Sequence, residues 1–315
     1  MLNVFYHTEK EINKAEGEAC IQLIAKEQMF WVDLQFPTDE EMKKVESFFG
    51  IDFSKLKAEN ELESNTKFYE SEDLIFISAN FIFLKENHFE STPVFIYLQH
   101  NVLITERNAE LASFAETIKK VARNRKAFKT GSDVLEGILE TKFDVDADFI
   151  ETIAKNIAAV SRSLSLKATV DKEEVLLKIS EYQEATTLSR ESFIDKQRVA
   201  SALLKSNVFE NKDRLKILIK DINAMLEYCS FIFVRLEYLQ NTILGLINIE
   251  QNKAIKIFTI VAVIFMPPTL IASIHGMNFK YMPELNLRYG YLLALFFIIS
   301  SSLLTLYIFK RKKWL

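Results

Sequence analysis

Two uncharged apolar segments lie near the end of the chain, at residues 257–274 (IFTIVAVIFMPPTLIASI) and 289–309 (YGYLLALFFIISSSLLTLYIF). At a rise of about 1.5 Å per residue, each would form a helix roughly 27 to 30 Å long, enough to cross the hydrocarbon core of a membrane. The pattern predicts an integral membrane protein. The spans are expected at about residues 254–275 and 289–309, joined by an outer loop, 276–288.

Short apolar stretches bounded by polar turns dominate the first third of the chain. Several are rich in Phe, Ile, Val and Tyr, which is typical of strands. Thr38 begins a capping-box sequence, and the helix that it opens should stop at Gly50. Residues 1–145 are therefore predicted to form a cytoplasmic α/β domain with a sheet between helices. The predicted strands are 2–6, 20–25, 29–34, 74–84, 94–98 and 102–105, and further helices are predicted at 109–125 and 133–143.

The strand pattern disappears after residue 145, and long helices are predicted instead. Residues 146–207 should form two cytoplasmic helices, at 146–166 and 172–205. One helix should then run from about 209 to 274, giving a stalk at 208–253 that continues into a transmembrane domain at 254–315. Such a helix would be close to 100 Å long. A single chain cannot bury that length, so the pattern predicts a homo-oligomer.

The cations that flank the spans predict the orientation in the membrane. Lys253 and Lys256 precede the first span, and a basic tail (310–315) follows the second. Cationic flanks remain in the cytoplasm, so both termini should be cytoplasmic. The N-terminal residues lack the pattern of a cleaved signal peptide. These features predict a multi-pass protein of the inner (plasma) membrane.

Composition excludes several classes of function. A net charge of −4 over 315 residues gives no reason to expect a nucleic-acid partner. The sequence contains no phosphate-binding glycine loop, so no nucleotide is expected. The four histidines are scattered and no catalytic motif is present, so an enzyme is not expected. Cys20 and Cys229 are predicted to be free thiols in a reducing compartment.

Uncharged polar residues follow one face of the first span and its approach. Polar groups in a membrane normally face a bundle interior or a water-filled cavity. A ring of such helices would place amides and hydroxyls around an axis, which predicts a pore. The polar stripe, as we call this face, comprises Asn241, Leu244, Asn248, Gln251, Ile255, Phe258, Ala262, Met266, Thr269, Ser273 and Gly276, with Asn252 and Thr259 beside it.

A less specific interpretation of the stripe also exists. Thr269 and Ser273 can bond to carbonyls of their own helix or hold neighbouring helices together. In addition, Pro267 and Pro268 should bend the helix and can shift its phase beyond them.

The side chains of the polar stripe favour a particular class of ion. They offer amide and hydroxyl oxygens but no carboxylate, His or Cys, so they would bind a soft transition metal poorly. Mg2+ holds its water reluctantly and is usually bound through that water. Amide oxygens can hydrogen-bond a hydrated dication weakly enough to release it. Ile255, Phe258 and Met266 could close the path by dewetting.

Three motifs around the spans resemble those of the CorA magnesium transporter family. They are Gly276-Met277-Asn278 after PPTLIASI, the MPEL of Met282–Leu285, and the terminal KRKKWL. Weaker similarity extends upstream through Trp31–Asp33 and Phe48–Gly50, so the resemblance covers essentially the whole chain. It implies a funnel-shaped homopentamer whose stalk helix continues as the pore-lining span, with an outer span from each subunit.

The resemblance also implies roles for individual residues and ions. Asn278 would bind hydrated Mg2+ at the outer mouth, which Gly276 and Met277 would shape. The cargo would be Mg2+, with Co2+ or Ni2+ also admitted. The pore-lining residues would be Asn252, Ile255, Phe258, Thr259, Met266, Thr269 and Ser273, and the basic collar around the inner pore would be Lys310, Arg311, Lys312 and Lys313.

The sequence departs from the family pattern at two places. His275 stands before the Gly-Met-Asn motif, where Tyr is frequent, and Ile217 stands where family members can hold a Mg2+-sensing aspartate. Regulatory Mg2+ is still implied, with Glu72, Asp73 and Asp221 as candidate ligands, although solvated surface carboxylates are an alternative. Two other functions stay open: a proton-coupled zinc transporter of the same superfamily, and a non-conducting membrane-anchored helical scaffold.

Overall fold

The computed structural model describes residues 1–315 except 9–10, 63–66, 86–87, 166–170, 208, 210–211, 278–279, 281, 284–286 and 313–315. The side chains of residues 59–62, 84–85, 88–89 and 165 are not described either. The chain divides into two compact units, Met1–Gln240 and Asn241–Leu315.

A seven-stranded sheet forms the centre of the first unit. Its strands are ordered β2-β1-β3-β7-β6-β5-β4, and β3 and β7 are parallel whereas the other neighbours are antiparallel. The strands are β1 (Leu2–His7), β2 (Ile12–Glu16), β3 (Met29–Gln35), β4 (Phe68–Glu70), β5 (Leu74–Lys85), β6 (His88–Gln99) and β7 (Val102–Arg107).

Eight α-helices are described along the whole chain. They are α1 (Cys20–Leu23), α2 (Asp39–Phe49), α3 (Phe53–Leu62), α4 (Ala112–Arg123), α5 (Gly131–Ser165), α6 (Lys172–Lys205), α7 (Lys212–His275) and α8 (Gly290–Arg311). Since α7 begins in the first unit and ends in the second, the predicted continuous helix from stalk to span is confirmed.

The capping box at the start of α2 forms as predicted. The backbone N–H of Glu41 donates to Thr38 Oγ1 (3.2 Å), and the backbone N–H of Thr38 donates to Glu41 Oε2 (3.0 Å). The helix ends at Gly50, whose φ of 71° lies in the left-handed region that glycine adopts without strain. Local sequence therefore determined both ends of this helix.

The structure corrects the prediction for residues 20–25, which form the short helix α1 and not a strand. The backbone hydrogen bonds here are local: the Cys20 N–H donates to the Gly17 carbonyl and the Ile24 N–H donates to the Cys20 carbonyl (both 3.2 Å). The edge strands β2 and β4 were not predicted, because INKAE and FYE are short and lack a sustained alternation of apolar residues. The helix α3 was not predicted either.

The two helices predicted at 133–143 and 146–166 form one helix, α5. The boundary was predicted where the strand pattern disappears, but Asp146 lies within the helix and is buried between two lysines. The predicted helix at 109–125 is shorter, running from Ala112 to Arg123. The predicted helix 172–205 is observed with the same bounds.

A buried ion pair joins β3, β7 and α4. Arg107 donates to both carboxylate oxygens of Asp33 (Nε–Oδ1 3.2 Å, Nη2–Oδ2 2.9 Å), and its guanidinium lies 4.7 Å from the centre of the Phe114 ring. Thr105 Oγ1 donates to Asp33 Oδ1 (2.9 Å) and accepts from Trp31 Nε1 (3.0 Å). The Asp33 side chain is thus fully satisfied where the two parallel strands meet.

Of the helices that the structure describes, α7 and α8 are long and apolar enough to cross a membrane. Only 6% of the most apolar window of each is buried within the chain. Pro267 and Pro268 lie inside α7, which nevertheless continues to His275. Both cysteines are free; Cys229 is buried and Cys20 is half-buried.

The Asp33–Arg107 pair generates a stability prediction. Asp33→Ala leaves the Arg107 guanidinium buried without its carboxylate, so we expect a loss of about 3 to 5 kcal/mol in the free energy of unfolding of the first unit. Lys14→Ala, which removes the exposed pair with Glu16, is the control and should change the free energy of unfolding by about 1 kcal/mol or less. Chemical unfolding followed by circular dichroism measures both. Equal effects of the two substitutions would contradict the prediction.

Candidate functional site

The polar stripe of α7 is exposed along the span in the single chain. Phe258 and Met266 are 75% and 66% exposed, and Ile255 is 53% exposed. The remaining predicted pore residues, Asn252, Thr259, Thr269 and Ser273, are also exposed, as is Gly276 beyond them. Within the part of the chain that the structure describes, this face is left uncovered, although it holds most polar side chains of the span.

A different face of α7 is covered within the second unit. The half-buried or buried positions recur at steps of three and four residues, at Ile260, Ile264, Pro268, Ile271 and His275. In α8, covered positions recur in the same way, at Ala294, Ile298, Ser301, Thr305 and Phe309. Since α7 and α8 are the two helices described in this unit, we infer that these faces are turned towards each other. The polar stripe is on neither of them.

Two hydroxyls of the stripe form hydrogen bonds within their own helix. Thr259 Oγ1 donates to the carbonyl of Ile255 (2.8 Å), and Thr269 Oγ1 donates to the carbonyl of Phe265 (2.7 Å). This is the back-bonding of the less specific interpretation. Each hydroxyl proton is used, but each oxygen retains acceptor capacity towards a water molecule. Back-bonding and a water-facing position are therefore compatible for both residues.

His275 caps the end of α7 on the covered face. Its Nδ1 lies 2.9 Å from the carbonyl oxygen of Ile271, one turn earlier. A carbonyl only accepts, so Nδ1 carries the proton of this hydrogen bond. The Gly276 N–H donates to the carbonyl of Ala272 (3.0 Å), so the helix closes just before the predicted mouth. The geometry gives His275 a role at the helix end, away from the polar stripe.

The predicted mouth is described only in part. Gly276 is exposed and follows α7 directly, and Met277 is 47% exposed. Asn278, the residue that the family resemblance assigns to the hydrated ion, lies outside the described residues.

The predicted basic collar ends α8. Lys310, Arg311 and Lys312 are exposed, and Lys313 lies outside the described residues. Lys253 and Lys256, which precede the first span, are exposed as well. The cations from which the orientation was predicted are thus exposed in the single chain, as are most residues of the spans themselves.

The candidate regulatory carboxylates do not meet within one chain. Glu72 and Asp73 are exposed, and Asp73 Oδ1 lies 3.8 Å from His100 Nε2. Asp221 is exposed on α7, where it lines a cavity of about 230 Å3 with Glu140, Asp144 and Arg214. Among the described residues, no group of three or more His, Cys, Asp or Glu side chains could hold a metal ion.

One group of charged residues was not singled out from the sequence. Lys142 and Lys196 share the carboxylate of Asp146 in the interior of the first unit. The i, i+4 spacing of Lys142 and Asp146 was visible, but such pairs usually lie on solvated helix faces. Only the packing of α5 against α6 reveals that this group is buried.

Comparison with known proteins gives consistent similarities. A family profile described as CorA-like Mg2+ transporter protein matches residues 26–311. The magnesium transport proteins CorA of Helicobacter pylori and Wolinella succinogenes are 33% and 34% identical to the chain over 319 and 323 aligned positions. Each alignment covers 100% of both proteins.

Among solved structures, the chain is similar to the complete structure of the CorA magnesium transporter from Methanocaldococcus jannaschii. The TM-score is 0.83 at 22% identity, and the match covers 100% of this chain and 99% of the other. At this identity the likeness shows the fold alone. It confirms the predicted fold class, an α/β domain followed by a long helix and a hairpin of two apolar helices.

Proposed function

The chain belongs to the family of CorA-like Mg2+ transporter proteins, and we propose that it conducts Mg2+ passively into the cell through a pore lined by α7. Family membership confirms the resemblance seen in the motifs and assigns the chain to transporters, not enzymes. It also agrees with the two membrane-spanning helices. The proposal adds to family membership the route of the ion, its selection, the assembly of the subunits and the regulation of transport.

The exposed polar stripe is the observation that carries the proposal. Its uncharged polar groups would be costly against lipid, and the face that α7 turns towards α8 is a different one. Copies of α7 arranged around an axis would turn the stripe towards water. Apolar residues on other faces would then contact a neighbouring subunit or lipid; Ile257 and Phe265, which are 62% and 63% exposed in the single chain, are examples. We propose a homo-oligomer, a pentamer as in the family resemblance.

The mouth would select the ion without removing its water. Mg2+ dehydrates reluctantly, so a ring of Asn278 side chains would accept hydrogen bonds from the first hydration shell. Gly276 leaves room for the turn out of α7, and Met277 would complete the rim. The same contacts do not discriminate strictly among hydrated dications, so Co2+ or Ni2+ would also be admitted.

The membrane potential would drive uptake, and the apolar members of the stripe would gate it. A dication that crosses an inside-negative membrane gains about 4.6 kcal/mol per 100 mV, twice the value for a single charge. Ile255, Phe258 and Met266 form constrictions that can dewet when the oligomer narrows. No nucleotide is required for this direction of transport.

We place the protein in the inner membrane with both termini in the cytoplasm. The exposed cations Lys310, Arg311 and Lys312, with Lys313, would form a basic collar on the cytoplasmic side. Such a collar would raise the electrostatic barrier to cations when the pore is narrow. The rate at which Mg2+ leaves the pore would therefore depend on the radius of the collar.

Cytoplasmic Mg2+ would inhibit transport by binding between subunits. Asp221 already shares a cavity with Glu140 and Asp144 in one chain, and a neighbour that contributes Glu72 and Asp73 would complete an oxygen-rich site. Carboxylates are the ligands that Mg2+ prefers in proteins. High internal Mg2+ would then hold the subunits in a closed arrangement.

Two other functions are not favoured. The family profile and the curated relatives name magnesium, which argues against a proton-coupled zinc transporter. A non-conducting scaffold would not require a polar stripe that continues through the span and remains uncovered.

Substitution at the mouth tests selectivity. Asn278→Ala removes the amide that accepts from the hydration shell, so we expect Mg2+ flux to fall roughly tenfold or more while the oligomer remains assembled. Asn80→Ala, on an exposed position of β5, is the matched control. A fluorescent Mg2+ dye measures the flux, and size-exclusion chromatography shows whether the oligomer remains assembled. Normal flux in Asn278→Ala would remove the mouth assignment.

Thiol labelling tests the face of α7 that lines the pore. In a background with Cys20→Ser and Cys229→Ala, Ala262→Cys and Ser273→Cys lie on the polar stripe, and Ile271→Cys lies on the covered face. We expect a cationic water-soluble methanethiosulfonate to modify the stripe thiols roughly tenfold or more faster, because methanethiosulfonates react with thiolates, which require water. Faster labelling at Ile271→Cys would place the pore elsewhere.

A third prediction concerns sensing of internal Mg2+. Asp221→Asn removes one charge from the proposed inhibitory site, so the internal Mg2+ concentration that halves influx should rise severalfold, with unchanged flux at low internal Mg2+. Asp213→Asn, which removes the exposed partner of Lys216 on the same helix, is the control. An unaltered inhibition curve for Asp221→Asn would make this residue a solvated surface carboxylate.

A further inference from the structure

Three charged residues form a buried group at the centre of the first unit. The side chains of Lys142, Asp146 and Lys196 are 1%, 3% and 2% exposed. Each lysine ammonium donates to one carboxylate oxygen of Asp146. Lys142 Nζ also donates to the backbone carbonyl of Ile82 in β5 (3.0 Å), and Ser192 Oγ donates to Asp146 Oδ2 (2.9 Å). The group therefore joins β5, α5 and α6.

This group carries an excess positive charge that no buried carboxylate balances. Two ammonium ions share one carboxylate, and a charge buried in protein is destabilised unless it is paired. Burial lowers the pKa of Lys142, Asp146 raises it, and the nearby Lys196 cation lowers it again, with the net result that the pKa falls to about 8. The positive charge of Lys142 is thus only partly stabilised by its surroundings.

A cavity of about 440 Å3 lies beside Lys142 and is lined by β5, the start of α4, and α5. Most of its lining is apolar, with Ile82, Leu111, Val145 and Phe149 among the residues that form it. Lys142 and Asp146 also line it, and Glu110 contributes the one exposed carboxylate. The cavity therefore combines an apolar surface with a buried, incompletely neutralised cation.

We propose that this cavity binds an amphipathic monoanion, a carboxylate carried on an apolar body. The carboxylate would pair with Lys142 and neutralise the excess charge, and the apolar body would occupy the space lined by Leu111, Val145 and Phe149. Glu110 faces water, which screens its charge, yet it would disfavour a second negative charge on the ligand. The site is separate from the transport path and does not depend on the proposed function.

Binding of a matched pair of small molecules tests the charge requirement. Radiolabelled phenylacetate and its neutral analogue phenylacetamide are dialysed against the full chain in lipid nanodiscs, with empty nanodiscs as the blank. We expect phenylacetate to bind about tenfold or more tightly than phenylacetamide, because only the carboxylate carries a negative charge that forms an ion pair with the Lys142 ammonium. Equal affinities, or no specific binding of either molecule, would overturn the proposal.

Two variants locate the binding site. Lys142→Met removes the cation and should reduce phenylacetate affinity to that of the amide, whereas Lys155→Met, at an exposed pair with Glu151, should leave it unchanged. Ala112→Trp fills the cavity from an exposed position and leaves the buried charges intact. It should abolish binding of both molecules. Retention of phenylacetate binding in Ala112→Trp would place the site elsewhere, even if Lys142→Met failed to fold.

The pH dependence gives an independent signature. The anion binds the protonated amine, so phenylacetate affinity should be constant below the Lys142 pKa of about 8 and fall as pH rises above it. Asp146 and Glu110 are the other charged residues that line the cavity, and Lys196 pairs with the second carboxylate oxygen of Asp146. The affinity of phenylacetamide should not follow this profile. A pH-independent phenylacetate affinity would contradict pairing with Lys142.

Discussion

The arrangement of the membrane unit depends on the penalty for placing polar side chains in hydrocarbon. The backbone of α7 satisfies its own hydrogen bonds, so only side chains decide which face can meet lipid. The amides and hydroxyls of the polar stripe cannot face lipid without a large energetic cost. The covered faces of α7 and α8, by contrast, can pack against protein. The oligomer that we propose, with the stripe at its axis, would resolve this conflict and would provide a surface along which a hydrated dication could move.

The first unit uses charges differently, by burying and pairing them. Asp33 and Arg107 satisfy each other where β3 and β7 run parallel. Lys142, Asp146 and Lys196 join the sheet to the helical layer but leave one positive charge in excess. The balanced pair of Asp33 and Arg107 stabilises the fold of the sheet. The group of Lys142, Asp146 and Lys196 is not balanced and lies beside a cavity, which are the properties expected of a site that binds an anionic ligand.

The sequence predicted the features that local chemistry determines. Thr38, Glu41 and Gly50 set both ends of α2, and uncharged apolar segments marked both spans. Residues 20–25 were predicted wrongly because so short an apolar run fits a helical turn as well as a strand. The continuity of α5 through Asp146 was missed because it depends on lysines 4 and 50 residues away. At the candidate site, the periodicity of α7 identified the stripe, and the Gly-Met-Asn assignment rests on family resemblance.

The most direct test of a potential-driven pore is Mg2+ uptake into proteoliposomes that contain the purified protein, with internal Mg2+ kept low and the membrane potential imposed. Our account predicts that uptake increases steadily as the interior becomes more negative, without nucleotide or a proton gradient. Uptake that ignores the potential, or that appears only with a proton gradient, would contradict it.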